Sequence, residues 1–224
     1  MKYHQMIQLK HGGDLMLKLK ELLKLDGMVY GSEIKPKHKK RMERELVYIH
    51  NPIIPHNPPP INSSRETLKE LHWLRDYNNG LVNEIMVKEG DDVKGSFREF
   101  LESKDLKYPK KYVGELIKDS GRIIYELKYK YNRPRPTQVA EFLQVEGFDT
   151  TTLDSMHTPS YPSGHSTQGI FVARALGKMF KEHSEELYEI GKMISESRLM
   201  ARAHFPSDSK FGEQVGEILY QNLK

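Results

Sequence analysis

The chain of 224 residues contains no cysteine. That removes disulfide frameworks, thiol nucleophiles and cysteine-based zinc or iron–sulfur sites together, and it leaves the redox compartment open. No apolar run approaches the roughly 20 residues needed to cross a bilayer, so no membrane span is expected. The opening MKYHQMIQLKHGG has no apolar stretch of the kind that marks an export signal, and the expected location is cytoplasmic. Internal repeats and low-complexity segments are absent, and alternating strand patterns nearly so. Beyond His165 and His204, the histidines at 4, 11, 38, 50, 56, 72, 157 and 183 show no HExxH or comparable ligand spacing. Most of them read as surface residues, His157 lies in the loop that leads into the 161–166 stretch, and no metal site is expected. Trp73, the single tryptophan, reads as packing.

What is present is ordinary for a globular protein: 37% hydrophobic and 29% charged residues, enough for one domain with its own core. The formal charge is +4 and the pI near 9.0, a balance that favours anionic small molecules. The densest basic run, Lys35 to Arg41, has no interleaved aromatics and reads as a solvated loop and helix start, not as a nucleic-acid footprint. Residues 51–62 hold five prolines and form an extended connector. Ahead of it, Asp14 to Leu25 is amphipathic. Behind it, Ser63-Ser-Arg-Glu66 has capping-box spacing. Further helical patterns cover about 80–89, 94–104, 110–131, 165–182 and 184–204. The expected fold is an all-α single-domain helical bundle. Residues 1–62 form an N-terminal arm and connector packed on a core of residues 63–224.

Three segments carry chemistry. In the first, the apolar stripe Val113, Leu116, Ile117, Ile124 leads to Leu127 and Lys128 at a helix end, and Pro134 and Pro136 flank Arg135. The lysine stem either snorkels to solvent or holds its ammonium beside a stiffly held arginine as an anion clamp. The second is YPSGHS, Tyr161 to Ser166. The first amides of a helix lack partners and carry the positive end of its dipole, and glycine lets an oxyanion approach them. Ser163 either caps that helix or donates its hydroxyl to the anion, Gly164 opens the approach, and His165 falls in the first turn. The third runs from Ser197-Arg198 to His204 and Asp208. Steps of four and three put Ser197, Ala201 and His204 on one helical face. Asp208 is close enough to accept from one ring nitrogen of His204, leaving the other with a free lone pair.

Taken in order, Lys128-x6-Arg135-Pro136, Pro162-Ser-Gly-His165 and Ser197-Arg198-x5-His204-x3-Asp208 resemble the signature of the type 2 phosphatidic acid phosphatase (PAP2) superfamily. Within it, Pro58-Pro-Pro60, Arg133-Pro-Arg135-Pro136 and Ser160-Tyr-Pro-Ser-Gly-His165 are most similar to the soluble bacterial class A nonspecific acid phosphatases, over about residues 55–220. The resemblance implies a bundle of the PAP2/vanadium haloperoxidase type that hydrolyses small phosphate monoesters without a metal or other cofactor. Lys128, Arg135 and Arg198 would neutralise the phosphoryl oxygens, and Ser163 and Gly164 would complete the cradle. His204 would form a phosphohistidine, held by Asp208, while His165 serves as general acid and base. A homodimer is implied as one state to test. The chain departs from those enzymes in lacking their export signal and the cysteines that many carry.

Two other classes fit some of the same residues. A vanadium-dependent haloperoxidase uses a similar pocket with vanadate as cofactor, whereas a phosphatase is inhibited by vanadate; the greater length of the haloperoxidases favours the phosphatase. A non-catalytic phosphate or lipid-headgroup binder would draw on the basic run, and has no use for an oriented His204–Asp208 pair.

Overall fold

Side chains at three- and four-residue spacing decide which segments become helices and which faces they bury. The computed structural model describes residues 19–77, 84–149 and 153–224. Among them are ten α-helices: α1 (Leu19–Asp26), α2 (Pro36–Met42), α3 (Arg65–Tyr77), α4 (Glu84–Asp91), α5 (Val93–Ser103), α6 (Lys110–Tyr131), α7 (Pro136–Leu143), α8 (Gly164–Met179), α9 (Ser184–Met200) and α10 (Pro206–Gln221). The all-α expectation holds, with one isolated β-bridge between Ile49 and Leu223 among the described residues. Within those residues no helix is long and apolar enough to cross a membrane.

Helix α8 is the centre of the bundle. Its residues Ile170 to Ala173, Ala175 and Leu176 are all buried, because α9 and α10 pack on it along most of its length. Small residues permit that approach. A Cβ on Gly169 would lie 2.9 Å from the Gly191 carbonyl oxygen of α9, and one on Gly212 would lie 2.6 Å from the Ser163 carbonyl oxygen. Phe97, Val113, Leu116, Phe211 and Val215 continue this core into α5, α6 and α10. A second cluster gathers Leu25, Leu71, Leu74, Val139 and Leu143 around Phe205, and so fixes the turn between α9 and α10.

The segment before α3 lies along α6. His38 stacks on Tyr125 at 4.4 Å between ring centroids, and its Nδ1 is 2.6 Å from the Tyr129 hydroxyl. Asp119 of α6 accepts from the amides of Val47 and Tyr48 at 2.9 and 2.7 Å. The Tyr161 hydroxyl donates to Asn57 O at 2.6 Å in the proline-rich connector.

Several expectations need correction. His38 is buried rather than at the surface, because α2 turns it inward between two tyrosines. Trp73 is 43% exposed and stacks on Tyr77, so it contributes little to the core. The cap of α3 is Ser64, whose hydroxyl accepts from Thr67 N at 3.2 Å, one residue later than the capping-box spacing placed it. Helix α9 stops at Met200, four residues early. Arg202 takes a positive φ of 51°, and its guanidinium is held by the carbonyls of Leu74, Arg75, Gly147 and Asp149. His204 therefore sits on a turn and does not share a helical face with Ser197. Helix α2 forms where a helix start was expected at Lys35–Arg41, and α7 was not anticipated. Of the expected N-terminal helix, residues 14–18 lie outside the described residues, as do 80–83 of the pattern expected over 80–89 and His4 and His11.

Candidate active site

Helix α6 ends where Asn132 enters the left-handed region at φ 47° and donates to Lys128 O. Three extended residues follow before Pro136 opens α7. This geometry turns Lys128 and Arg135 toward the same interior volume. Lys128 is 4% exposed, so its stem does not snorkel. Its ammonium donates to the carbonyls of Pro159 and Ser160. Burial first, then the charge of Arg135, pulls the ammonium well below its ordinary pKa. Arg135 is 3% exposed and donates to Thr158 O at 2.8 Å and Ala203 O at 2.7 Å. Burial lowers its pKa to about 10, so the guanidinium stays charged at neutral pH.

The YPSGHS stretch forms the N-terminus of α8. Ser163 accepts from Ser166 N at 3.3 Å and so caps the helix, which leaves its hydroxyl hydrogen free to serve as a donor. Its own amide donates to Asp208 O at 3.0 Å, which ties this helix start to that of α10. A Cβ on Gly164 would stand 3.8 Å from Lys128 Cε, so the glycine and the lysine line one space.

His204 lies between Arg135 and Asp208. Its Nε2 is 3.0 Å from Arg135 Nη1, and its Nδ1 is 3.4 Å from Asp208 Oδ2. A guanidinium only donates and an ionised carboxylate only accepts. The pair therefore selects the neutral ring with its proton on Nδ1 and its lone pair on Nε2. Burial, followed by the charge of Arg135, holds His204 well below the usual histidine range. Burial works against the Asp208 charge, but Arg133 and the hydrogen bonds from His204 and Ser160 outweigh it and keep the carboxyl strongly acidic.

His165 faces a different carboxylate. Its Nε2 is 3.4 Å from Asp91 Oδ1 and 3.2 Å from Asp91 O at the end of α4. The same Oδ1 takes Arg198 Nη1 at 2.6 Å and the Ser155 hydroxyl at 2.8 Å. Arg198 is 1% exposed, and its Nη2 also donates to Val87 O at 2.9 Å. Burial and the nearby Arg198 charge lower His165 to about 4, with Asp91 opposing them.

All eight residues singled out in the sequence thus fall in one buried cationic cluster, linked by direct contacts or by a shared neighbour. Asp91, Arg133 and Ser160 belong to it and were missed. Asp91 had no signal, being one of four acidic residues within 84–92. Arg133 was visible only as part of the Arg-Pro-Arg-Pro cluster. A groove of about 540 Å³ between the proline-rich connector and α10, lined by Asn57, Pro58, Ile61, Lys210 and Phe211, contains none of the cluster's cationic side chains. Among the described residues, no group of three or more His, Asp or Glu side chains is arranged to hold a metal ion.

Residues 117–220, which contain all three motifs, match the family model described as the PAP2 superfamily. That stretch is similar to the PAP2 superfamily. It is 32% identical over 97 residues to a non-specific acid phosphatase of Salmonella typhimurium, a match covering 43% of this chain and 38% of that protein. To an acid phosphatase of Zymomonas mobilis it is 31% identical over 108 residues, covering 45% and 39%. The matches thus span about two fifths of the length of these curated relatives. The fold resembles that of a bacterial vanadium-dependent iodoperoxidase, with a TM-score of 0.55 and 16% identity over 78% of this chain and 52% of that one. At that identity the likeness is one of fold.

Proposed function

We propose that this PAP2-like domain hydrolyses phosphate monoesters through a phosphohistidine on His204, with no metal in the reaction. The observation that carries the reading is the opposite polarity at the two nitrogens of His204, a carboxylate at Nδ1 and a guanidinium at Nε2. A buried imidazole held in one tautomer, with its lone pair among fixed cations, is suited to attack an anionic phosphoryl group.

In this reading Lys128, Arg135 and Arg198 neutralise the phosphoryl oxygens, and Ser163 and the Gly164 amide add donors at the start of α8. Nε2 of His204 bonds to phosphorus as the ester P–O bond breaks. Asp208 stabilises the imidazolium that forms. His165 gives its proton to the departing alkoxide, then takes one from the water that cleaves the P–N bond and releases phosphate. Because His165 titrates at about 4 without ligand, it is mostly neutral at pH 6. A phosphate dianion in the cradle would favour its charged form, and mildly acidic solution favours it further. An acid optimum follows.

Vanadate, a tetrahedral oxyanion, fits the same donors. The test is release of phosphate from p-nitrophenyl phosphate and a panel of nucleotides between pH 4 and 8, with and without vanadate. Turnover inhibited by vanadate supports the proposal. No turnover with any substrate, or halide oxidation that requires vanadate and peroxide, contradicts it.

A further inference from the structure

Arg133 makes no contact with the other cations of the cluster, yet it is only 2% exposed. Its Nη1 donates to Asp208 Oδ1 at 2.5 Å and to Ser207 Oγ at 2.8 Å. Its Nη2 donates to Thr67 Oγ1 at 3.2 Å and to Glu70 Oε2 at 3.4 Å on α3. The guanidinium lies 4.0 Å above the ring of Phe205. Glu70 also accepts from Ser207 N at 2.6 Å and from Ser207 Oγ at 2.8 Å. One arginine thus joins two carboxylates, the partly buried Glu70 of α3 and the fully buried Asp208 of α10.

The second oxygen of Asp208 is engaged as fully. Oδ2 accepts from Phe205 N at 2.9 Å, from the Ser160 hydroxyl and from His204 Nδ1 at 3.4 Å. The charged or titratable groups that face Asp208 are Lys128, Arg133 and Arg135 from the α6–α7 region, Glu70 from α3, Tyr161 and His204. Of the cations, Arg133 is the one bonded to the carboxylate.

We infer that Arg133, held by Glu70, is a positioning residue for the nucleophile: it aims Asp208 at Nδ1 of His204 and offsets the carboxylate's charge, so that Nε2 keeps its lone pair in acid solution. The inference rests on the phosphohistidine reading for its consequence in turnover, and on geometry for its effect on His204. A merely structural staple between α3 and α10 would lower activity evenly across pH. A positioning charge moves the acid limb, because without it both Asp208 and His204 take up protons at higher pH.

The experiment compares wild type with Arg133→Met and Arg133→Lys. The first readout is kcat against pH for p-nitrophenyl phosphate, and the second is the His204 titration followed by ¹⁵N spectra of histidine-labelled protein. For Arg133→Met the acid limb and the His204 titration both rise by about one pH unit. Arg133→Lys keeps a charge without the fork and moves both less, but in the same direction. If the methionine variant does not fold, the lysine variant decides. Folded variants whose profiles and His204 titration superimpose on wild type overturn the inference. Wild type without turnover sinks the phosphatase reading, and the spectra still decide this one.

Discussion

Replacing Asp91 with asparagine tests the assignment of His165 as the proton donor. Asparagine keeps the shape and the carbonyl that Arg198 and Ser155 donate to, and removes the charge. At the observed 3.4 Å between His165 Nε2 and Asp91 Oδ1, Coulomb's law gives about 1.2 kcal/mol across water and about 5 kcal/mol at an effective dielectric near 20. The Asp91 side chain is 31% exposed and its charge is shared with Arg198, so the lower end applies. That lower end, about 1.2 kcal/mol, amounts to about one pKa unit. Asp91 favours the protonated ring, so its loss shifts His165 further below its present value of about 4. The alkaline limb of kcat should then move about one unit toward acid, with kcat about tenfold lower at pH 6 and about fivefold lower at pH 4. The assay is kcat for p-nitrophenyl phosphate from pH 3.5 to 7.5, where the ionisation of substrate is common to both proteins. An alkaline limb that stays in place, or moves upward, refutes His165 as the donor.

Two further outcomes concern stability. His38 is lowered to about 4 by burial and then by Lys37, Arg41, Lys35 and Lys128. A base depressed in the folded state destabilises it as pH falls from the ordinary value near 6.5 toward 4, by up to about 3 kcal/mol. His38→Phe should therefore lose less stability than wild type between pH 7 and pH 4 in urea titrations, and equal losses would show that His38 is not the group responsible. Gly169→Ala forces a Cβ to 2.9 Å from Gly191 O, with Ile194 Cγ2 at 3.2 Å. The helices must separate at a cost of about 1–3 kcal/mol, lowering Tm by about 3–10 °C in a melting scan. An unchanged Tm would mean that α8 and α9 are not locked at this crossing.

The bundle was legible because its helices announce themselves locally. The stripe from Val113 to Lys128 gave α6 its observed limits, and the caps and periodicity of α8 were close to those found. The end of α9 was not legible, because it is set by Arg202, whose partners are carbonyls 53 to 128 residues away in the chain. A tertiary contact overrode a pattern that continued through 204. The inward turn of His38 was hidden for the same reason, since its partners Tyr125 and Tyr129 are on another helix. The residues of the cationic cluster were readable as three spaced motifs. Asp91 and Arg133 were not, because each acts by pairing across the fold, and a carboxylate at a helix end or an arginine in a basic stretch has no local mark of that role.

The central claim is that Nε2 of His204 bonds to phosphorus. Wild-type protein mixed with a ³²P-labelled monoester at pH 5 and quenched in alkali within milliseconds should carry label on the peptide containing His204. That label should be stable to base and lost in acid, and His204→Ala should carry none and turn over at least about a thousandfold more slowly. Label on another residue, or a His204→Ala protein that retains turnover within tenfold of wild type, would contradict the account.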